Sequence, residues 1–320
     1  MLDVAFIGTF AASMEPRVRA QLAVPCRVAV EPEAGIAPKL STTDVVVTMA
    51  FTAEMGCAAA RLKLVQVPGA GLDRIERAAL PAGARLANVY GHENGIAEFV
   101  LGAMLALSRD FARLDASLRR GLWESQWAVG APPTPVWREL AGKTLVILGY
   151  GRIGRALARR ARAFEMTVLA TRRTPGRDDH AALHAPGALA DVLAAADYVA
   201  VTLPLTPDTR GLIGARELAT MKPTAMLVNV SRADIVDEDA LYEALAERRI
   251  AAAALDVWYR YPKGPGATLP AGRPFHELPN VLMTPHVSGW TDGMLEARAA
   301  LIAENIGRVA RGDVPLNLVA

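Results

Sequence analysis

A glycine-rich turn between an apolar run and a helical pattern is the feature of the sequence that most directly suggests chemistry. Thr144–Leu148 has the pattern of a buried strand and leads into Gly149-Tyr-Gly151-Arg-Ile-Gly154, which a helical pattern follows. In such a unit the first glycine permits a tight turn, the second lets the backbone approach a pyrophosphate, and the third lets the helix pack on the strand. The amides and the positive dipole end at the helix start attract phosphates. The spacing predicts a dinucleotide site formed by Gly149, Gly151, Arg152, Ile153 and Gly154; a tight turn without a ligand is the alternative.

The next predicted strand ends in two arginines. Met166–Ala170 continues as Thr171-Arg172-Arg173, and no Asp or Glu stands where NAD-binding proteins place a carboxylate on the ribose hydroxyls. A guanidinium at this place suits a 2′-phosphate, because it forms charge-assisted, bidentate hydrogen bonds. Arg172 and Arg173 therefore favour NADP as the cofactor, with NAD, or a solvated basic loop, as the alternatives.

Composition and charge exclude several classes of protein. Hydrophobic residues make up 52% of the 320 residues and charged residues 21%, which excludes a disordered chain. The net charge of +2 argues against nucleic acid or an anionic membrane as a partner. No apolar stretch approaches the roughly 20 residues of a membrane span, and Asp3 stands where a signal peptide carries a basic residue. With only two cysteines, Cys26 and Cys57, we expect a cytoplasmic globular protein.

Short apolar runs alternate with helical patterns, which is typical of parallel α/β domains. The first series of predicted strands is Val4–Ile7, Arg27–Val30, Asp44–Val47, Leu64–Val67 and Leu86–Val89. The second series is Thr144–Leu148, Thr167–Ala170, Tyr198–Leu203, Met226–Val230, Ala251–Val257 and Val281–Thr284. Between them, the helical period predicts one long helix over Gly95–Arg120, followed by an arm rich in Trp and Pro over Gly121–Arg138. A closing helix is predicted over Asp292–Arg311.

Two histidines have the spacing of a metal-binding pair on a helix. His180 and His184 stand four residues apart, but no other ligand pattern surrounds them. We therefore interpret them as a surface feature, and the sequence predicts no metal site.

Four motifs in the second half of the chain together resemble one family. They are Val201-Thr-Leu-Pro-Leu-Thr-Pro-Asp-Thr-Arg-Gly-Leu-Ile213, Asn229-Val-Ser-Arg232, Ala254-Leu-Asp-Val257 and Thr284-Pro-His-Val-Ser-Gly-Trp290. In this order they resemble the D-isomer-specific 2-hydroxyacid dehydrogenases, in particular the glyoxylate and hydroxypyruvate reductase branch. The resemblance implies an α/β fold of two Rossmann-like domains, with the cofactor domain inserted into a flavodoxin-like substrate domain. It implies a substrate-binding domain at residues 1–91 and 292–320 and a dinucleotide-binding domain at residues 92–291.

The resemblance implies that two residues carry the reaction. Arg232 resembles the arginine that binds the substrate carboxylate and its carbonyl oxygen, and His286 resembles the acid/base. These roles suit the chemistry, because hydride transfer to a 2-oxo acid builds negative charge on the carbonyl oxygen, which a guanidinium stabilises. An imidazole then supplies the proton near neutral pH.

Further roles follow from the same resemblance. Asp256 is expected to hold the nicotinamide amide, and Leu203 and Pro204 to form the turn over the adenine and the pyrophosphate. In the loop after Val67, Ala70 and Gly71 resemble residues whose main-chain amides bind the substrate carboxylate.

The sequence departs from the family pattern at one catalytic position. The family carries a catalytic Glu in a Glu-x-Glu-Pro context, whereas this chain has Asp256-Val-Trp-Tyr-Arg-Tyr-Pro262, with Tyr261 at the catalytic position. A tyrosine can hydrogen-bond the His286 ring, but it brings no negative charge. Glu93, next to His92, is an alternative source of a carboxylate, or else a helix-start residue that the dipole favours.

The predicted function is hydride transfer between NADP(H) and a small 2-oxo or 2-hydroxy acid, with glyoxylate and hydroxypyruvate favoured. Two alternatives remain, an NAD(P)-binding sensor or corepressor-like protein with weak turnover, and a dehydrogenase of another small anion. Because the family pairs subunits through the long helix and the arm, the resemblance also implies a homodimer.

Overall fold

The computed structural model describes residues 1–130 and 134–319, which form two compact units. Unit 1 comprises Met1–His92 and Trp290–Ala320, and unit 2 comprises Glu93–Gly289. Unit 2 is thus inserted in the chain of unit 1, and the predicted α/β fold of two Rossmann-like domains is confirmed.

The elements are numbered along the chain. The strands are β1 Leu2–Ile7, β2 Cys26–Glu31, β3 Val45–Thr48, β4 Leu64–Gln66, β5 Arg85–Ala87, β6 Thr144–Leu148, β7 Thr167–Thr171, β8 Gly176–Asp178, β9 Ala181–His184, β10 Tyr198–Val201, β11 Met226–Asn229, β12 Ala252–Leu255 and β13 Val281–Met283. The helices are α1 Thr9–Gln21, α2 Ala53–Ala58, α3 Glu93–Arg109, α4 Phe111–Leu118, α5 Arg152–Ala163, α6 Leu189–Ala195, α7 Ala215–Thr220, α8 Glu238–Ala246 and α9 Asp292–Arg311.

Unit 1 is built on a five-stranded parallel sheet. Its strand order is β2-β1-β3-β4-β5, which is the flavodoxin-like order. The closing helix α9 has the predicted bounds. It begins after the Thr291 side chain, which accepts a hydrogen bond from the Met294 amide, and ends at Gly312 with φ of 80°. Since α9 packs against α1 and buries Ile302 and Ile306 in the core, the chain returns to its N-terminal half as expected.

Unit 2 is built on an eight-stranded sheet of order β13-β12-β11-β10-β6-β7-β9-β8. All neighbouring pairs are parallel except β8 with β9. The order around β6 is that of a dinucleotide-binding domain. On β6, Leu145 and Ile147 join the core on one face, whereas Val146 and Leu148 join the core on the other. Burial on both faces explains why this strand is apolar without alternation.

The predicted long helix over Gly95–Arg120 is wrong as a single helix. Helix α3 ends at Arg109, and Asp110 adopts the left-handed conformation with φ of 52° before α4 begins. Aspartate tolerates this conformation better than most residues, and its carboxylate binds Arg113 one turn later. The apolar period continues across the break, which is why the pattern does not reveal it.

The remaining differences concern short segments. The hairpin of β8 and β9 was not predicted, because both strands are short and β8 is polar. The described parts of the predicted arm over Gly121–Arg138 contain neither helix nor strand, while Pro132 and Pro133 lie outside the described residues. None of the helices in the described part of the chain combines the length and apolar character needed to cross a bilayer.

Candidate active site

The carboxyl edge of the unit 2 sheet carries most of the residues that the sequence singled out. Because β11, β12 and β13 are parallel neighbours, the loops after them leave the sheet at the same edge. Arg232 follows β11, Asp256 and Tyr261 follow β12, and His286 follows β13. The glycine loop after β6 and Leu203 after β10 leave at this edge as well.

The glycine loop has the shape that a pyrophosphate requires. Gly149 has φ of 104°, and a Cβ there would lie 2.9 Å from a main-chain nitrogen of the loop after β10. A Cβ at Gly154 would lie 2.5 Å from the Gly149 carbonyl oxygen, whereas a Cβ at Gly151 would meet nothing within 4 Å. This open space lies at the start of α5, whose first residues are Arg152 and Ile153. Helix starts direct N–H groups outward, so these residues fit a dinucleotide.

Hydroxyl groups connect the loop after β10 to the glycine loop and the loop after β11 to the loop after β10. Thr202 Oγ1 donates to the Gly149 carbonyl over 2.7 Å, and the Ser231 hydroxyl donates to the Leu203 carbonyl. Pro204 follows directly and is exposed. Leu203 and Pro204 therefore lie beside the glycine loop, and their contact with adenine and pyrophosphate stays a prediction.

Arg172 and Arg173 are exposed directly after β7. The main-chain N–H of Arg172 donates to the His184 carbonyl over 2.9 Å, which fixes the start of this loop beside the end of β9. Two guanidinium groups thus follow the strand next to β6. At this position a dinucleotide-binding fold contacts the adenosine ribose of its ligand.

A carboxylate that the sequence analysis missed lies in the following hairpin. Asp178 accepts hydrogen bonds from the Tyr150 hydroxyl over 2.7 Å and from the His180 amide over 3.1 Å. These hydrogen bonds lower the pKa of Asp178. The hairpin is therefore anchored to the glycine loop through Tyr150. No short motif could show this contact, because Asp178 stands seven residues beyond β7.

Asp256 holds the loop that carries the histidine. The residue is fully buried, and its Oδ1 accepts hydrogen bonds from Thr284 Oγ1 at 2.6 Å and the Val287 amide at 2.9 Å. Its Oδ2 accepts from the Ser288 amide at 2.8 Å. A carboxylate has about four acceptor positions, and these hydrogen bonds occupy three of them. The structure gives Asp256 a structural role that sequence reasoning missed, and its contact with a nicotinamide amide stays a prediction.

The ring of His286 is held by Tyr261. The Tyr261 Oη lies 2.7 Å from Nδ1 of His286, and the His286 backbone is left-handed with φ of 58°. Such a conformation is uncommon for a residue other than glycine, although histidine adopts it more often than most, and it is found at functional sites. Trp258, also in the loop after β12, donates from Nε1 to the Thr284 carbonyl over 2.8 Å and so braces the same loop.

Electrostatics link Arg232 to this pair. His286 is partly exposed, but the surrounding protein still removes enough water to lower the pKa of its ring. The Asp256 charge raises this pKa, and the Arg232 charge lowers it further. Burial raises the pKa of Tyr261. Arg232 itself is half-buried and donates to the Ser231 carbonyl over 2.9 Å. Unit 2 therefore brings Arg232, Tyr261 and His286 within electrostatic reach of one another.

The predicted substrate loop lies in unit 1. Ala70 and Gly71 follow β4, and the Asn88 side chain donates to the Ala70 carbonyl over 3.0 Å. The Val89 amide donates to the Gly69 carbonyl over 3.2 Å. These bonds fix the loop, and its binding of a carboxylate stays a prediction.

Glu93, the alternative carboxylate, and its neighbour His92 fall in different units. His92 is buried in unit 1, where its Nδ1 lies 3.0 Å from Nη2 of Arg298. Glu93 is the first residue of α3 in unit 2, a position at which a carboxylate suits the helix dipole. A catalytic role for Glu93 stays an alternative to Tyr261.

The histidine pair does not share a helix face. His184 lies on β9 and His180 in the turn before it, so their spacing does not bring them together as it would on a helix. His184 is half-buried, which corrects its interpretation as a surface residue. Among residues 1–130 and 134–319, no group of three or more His, Cys, Asp or Glu could hold a metal ion.

Fold and site together define an oxidoreductase that uses a nicotinamide dinucleotide. A family model described as "D-isomer specific 2-hydroxyacid dehydrogenase, NAD binding domain" matches residues 101–288. A glyoxylate reductase of Thermococcus gammatolerans is 35% identical over 289 residues, which is 88% of this chain and 84% of that protein. A D-3-phosphoglycerate dehydrogenase of Methanocaldococcus jannaschii is 35% identical over 271 residues; the match covers 82% of this chain and about half, 48%, of that protein.

A solved structure shows the same fold over the whole chain. It is an NADPH-dependent glyoxylate/hydroxypyruvate reductase from Sinorhizobium meliloti, in complex with NADP and malonate, with a TM-score of 0.81 at 26% identity. The match covers 100% of this chain and 97% of that one. The chain belongs to the D-isomer specific 2-hydroxyacid dehydrogenase family, as its motifs indicated. It is an NAD(P)-dependent D-2-hydroxyacid dehydrogenase.

Proposed function

We propose that the chain is an NADP(H)-dependent reductase of small 2-oxo acids, with glyoxylate and hydroxypyruvate as the favoured substrates. The observation that carries the proposal is the arrangement at one edge of the unit 2 sheet. There the glycine loop, the arginines after β7, and Arg232 with His286 all follow parallel strands of one sheet. Open α/β sheets bind ligands at this edge. We accordingly propose unit 2 as the dinucleotide-binding domain and unit 1 as the substrate-binding domain.

Two side chains do the chemistry in this proposal. The bound cofactor supplies the hydride. Arg232 binds the substrate carboxylate and the carbonyl oxygen, which fixes the orientation and stabilises the negative charge that develops on that oxygen. His286 donates the proton to the same oxygen from Nε2, the ring nitrogen that Tyr261 leaves available. General acid catalysis of this kind contributes about 10²–10⁴-fold.

The preference for NADP rests on charge. Exposed Arg172 and Arg173 follow β7, and a 2′-phosphate can accept charge-assisted hydrogen bonds from both guanidiniums. Asp178, the carboxylate in the following hairpin, already accepts two hydrogen bonds. In this proposal the two arginines, which follow β7 directly, set the preference.

The choice of glyoxylate and hydroxypyruvate is supported by names of similar proteins, namely the reductases of Thermococcus gammatolerans and Sinorhizobium meliloti. A panel of 2-oxo acids tests it, with glyoxylate, hydroxypyruvate, pyruvate and 2-oxoglutarate each assayed with NADPH and with NADH. We expect the highest kcat/KM for one of the first two with NADPH. Tight NADPH binding without turnover would instead indicate the sensor, and oxidation of formate or phosphite alone would indicate the dehydrogenase of another anion.

We also propose that the chain forms a homodimer with two-fold symmetry. Helix α4 and the following segment expose the large apolar side chains of Phe111, Leu118, Trp123 and Trp127. Several large apolar side chains exposed within one short segment are typical of interaction sites. Light scattering at micromolar concentration should give the mass of two chains, and a monomer would contradict this. The cytoplasmic location stays a proposal from the cysteine content, as Cys26 and Cys57 are both free thiols.

A further inference from the structure

The hydrogen bond between Tyr261 and His286 has a direction, and that direction decides which ring nitrogen of neutral His286 carries the hydrogen. The Tyr261 oxygen lies 2.7 Å from Nδ1. The main-chain N–H of Trp258 donates to this same oxygen over 3.4 Å, so the oxygen already acts as an acceptor. Within the part of the chain that the structure describes, Nδ1 is the other partner of the hydroxyl.

The chemistry of the two groups favours donation by the tyrosine. A phenol loses its proton near pH 10, whereas the N–H of a neutral imidazole is a much weaker acid. Conversely, an imidazole nitrogen is a far stronger base than a phenol oxygen. The stronger hydrogen bond therefore runs from Oη–H to Nδ1. Burial raises the pKa of Tyr261, so the hydroxyl keeps its hydrogen near neutral pH.

We propose that Tyr261 is a positioning residue that holds neutral His286 in the tautomer with its hydrogen on Nε2. A carboxylate in the same place would favour the other tautomer. It only accepts hydrogen bonds, so Nδ1 would have to carry the hydrogen and donate it to the carboxylate. Nε2 would then carry a lone pair. The exchange of a carboxylate for a tyrosine thus turns Nε2 of the neutral ring from an acceptor into a donor.

Two further charged groups act on this ring, and neither opposes the proposed tautomer. Asp256 and Arg232 affect the pKa of His286 in opposite directions. The Asp256 oxygens accept hydrogen bonds from the loop that carries the histidine. The Nδ1 contact belongs to Tyr261.

The inference rests on the proposed function, in which Nε2 faces the carbonyl oxygen, and it separates binding from catalysis. Above the pKa of His286, an Nε2–H still donates to the carbonyl oxygen of a bound 2-oxo acid. The neutral ring is nevertheless a poor proton donor, because transfer would leave an imidazolate. With rising pH, kcat for reduction should therefore fall while KM for the 2-oxo acid stays nearly constant. Oxidation is disfavoured, since it needs a lone pair on Nε2.

Nitrogen-15 NMR of the protein without cofactor tests the tautomer directly. The chain has five histidines, and the signals missing from His286→Gln identify this ring. Above its pKa, we expect a protonated Nε2 and an unprotonated Nδ1 in the wild type, and the reverse in Tyr261→Glu. Tyr261→Phe, which keeps the aromatic ring but lacks the hydroxyl, should show a mixture. A hydrogen on Nδ1 in the wild type, or the same tautomer ratio in the wild type and Tyr261→Phe, would overturn the proposal.

Binding of oxamate, an unreactive 2-oxo acid analogue, gives the second readout. In the NADPH complex, its Kd in the wild type should change less than about threefold as His286 becomes neutral. In Tyr261→Glu it should rise by about tenfold or more, because the oxygen of the analogue loses the hydrogen bond from Nε2–H and faces a lone pair instead. An equal rise in both proteins contradicts the proposal. The NMR test of the tautomer needs no turnover. A failure of the proposed function would appear separately, as no reduction of any acid in the panel.

Discussion

The carboxyl edge of unit 2 has two halves, the glycine loop and the surroundings of His286. The first, or main-chain half, and the second, or side-chain half, are held in place in different ways. Around the glycine loop, the geometry is set by the main chain, since Gly149 and Gly154 leave no room for a Cβ. Around His286, it is set by side chains, because Asp256 holds the loop and Tyr261 holds the ring.

This difference has a consequence for how each half can change. A main-chain site changes only when a side chain intrudes on it, so its spacing is a dependable sign of function. A side-chain site can change its chemistry through one substitution and keep its shape. The tyrosine at position 261 is such a change, as it keeps a hydrogen bond to the His286 ring and removes a charge.

The largest effect is expected on the side-chain half. Arg232→Ala should lower kcat/KM for any 2-oxo acid by about 10²-fold or more, the scale for removing an electrostatic stabiliser. The Kd of NADPH should change much less. Arg216→Ala, at a solvent-exposed position on α7, is the matched control and should have normal kinetics. Near-normal turnover of Arg232→Ala would refute its role.

The main-chain half can be tested with two glycines that the structure distinguishes. Gly154→Ala places a Cβ 2.5 Å from a main-chain oxygen, so the free energy of unfolding should fall by about 1–3 kcal/mol, the usual cost of overpacking. Gly151→Ala meets nothing within 4 Å and should leave that free energy unchanged. It should nevertheless weaken NADPH binding, by about tenfold or more, because its methyl group occupies the place of the pyrophosphate. Chemical denaturation and cofactor titration measure the two effects, and equal stabilities would show that packing does not require Gly154.

A smaller effect is expected for the cofactor preference. Arg172→Asp should reduce kcat/KM with NADPH by about 10-fold or more, the scale of a lost charge-assisted hydrogen bond, and should favour NADH, because a carboxylate accepts from the ribose hydroxyls. Arg159→Asp, an exposed position on α5, makes the same change in net charge and should leave the ratio of the two cofactors unchanged. Equal or better use of NADH by the wild type would disprove the preference.

The smallest effect is a shift of a pH profile. Burial and the Arg232 charge lower the pKa of His286 more than Asp256 raises it. Reduction needs the protonated ring, so the rate falls as pH rises through this pKa. A carboxylate favours the charged ring, so Tyr261→Glu should move the falling limb to higher pH by about one unit. If only Glu93→Gln moves the limb, Glu93 supplies the carboxylate instead of position 261.

The sequence was most informative where the main chain decides the structure. The strands other than β8 and β9, the closing helix and the glycine loop follow from apolar patterns and from spacing. The motifs singled out Arg232 and His286, whose catalytic roles are proposals. The break at Asp110 escaped prediction, because a left-handed residue does not disturb the apolar period. The contacts of Asp178 with Tyr150, and of Asp256 with the histidine loop, join residues that are distant in sequence. Such contacts depend on three-dimensional packing and leave no local pattern.

The central claim is that His286 supplies the proton in a site whose carboxylate has been replaced by Tyr261. The pH dependence of kcat for reduction of glyoxylate by NADPH, in the wild type and in His286→Gln, tests it most directly. As the pH rises, kcat of the wild type should fall along the titration curve of a single group. His286→Gln should be slower by about 10²–10⁴-fold, without that pH dependence. A variant that keeps both the rate and the same falling limb would show that another group is the acid.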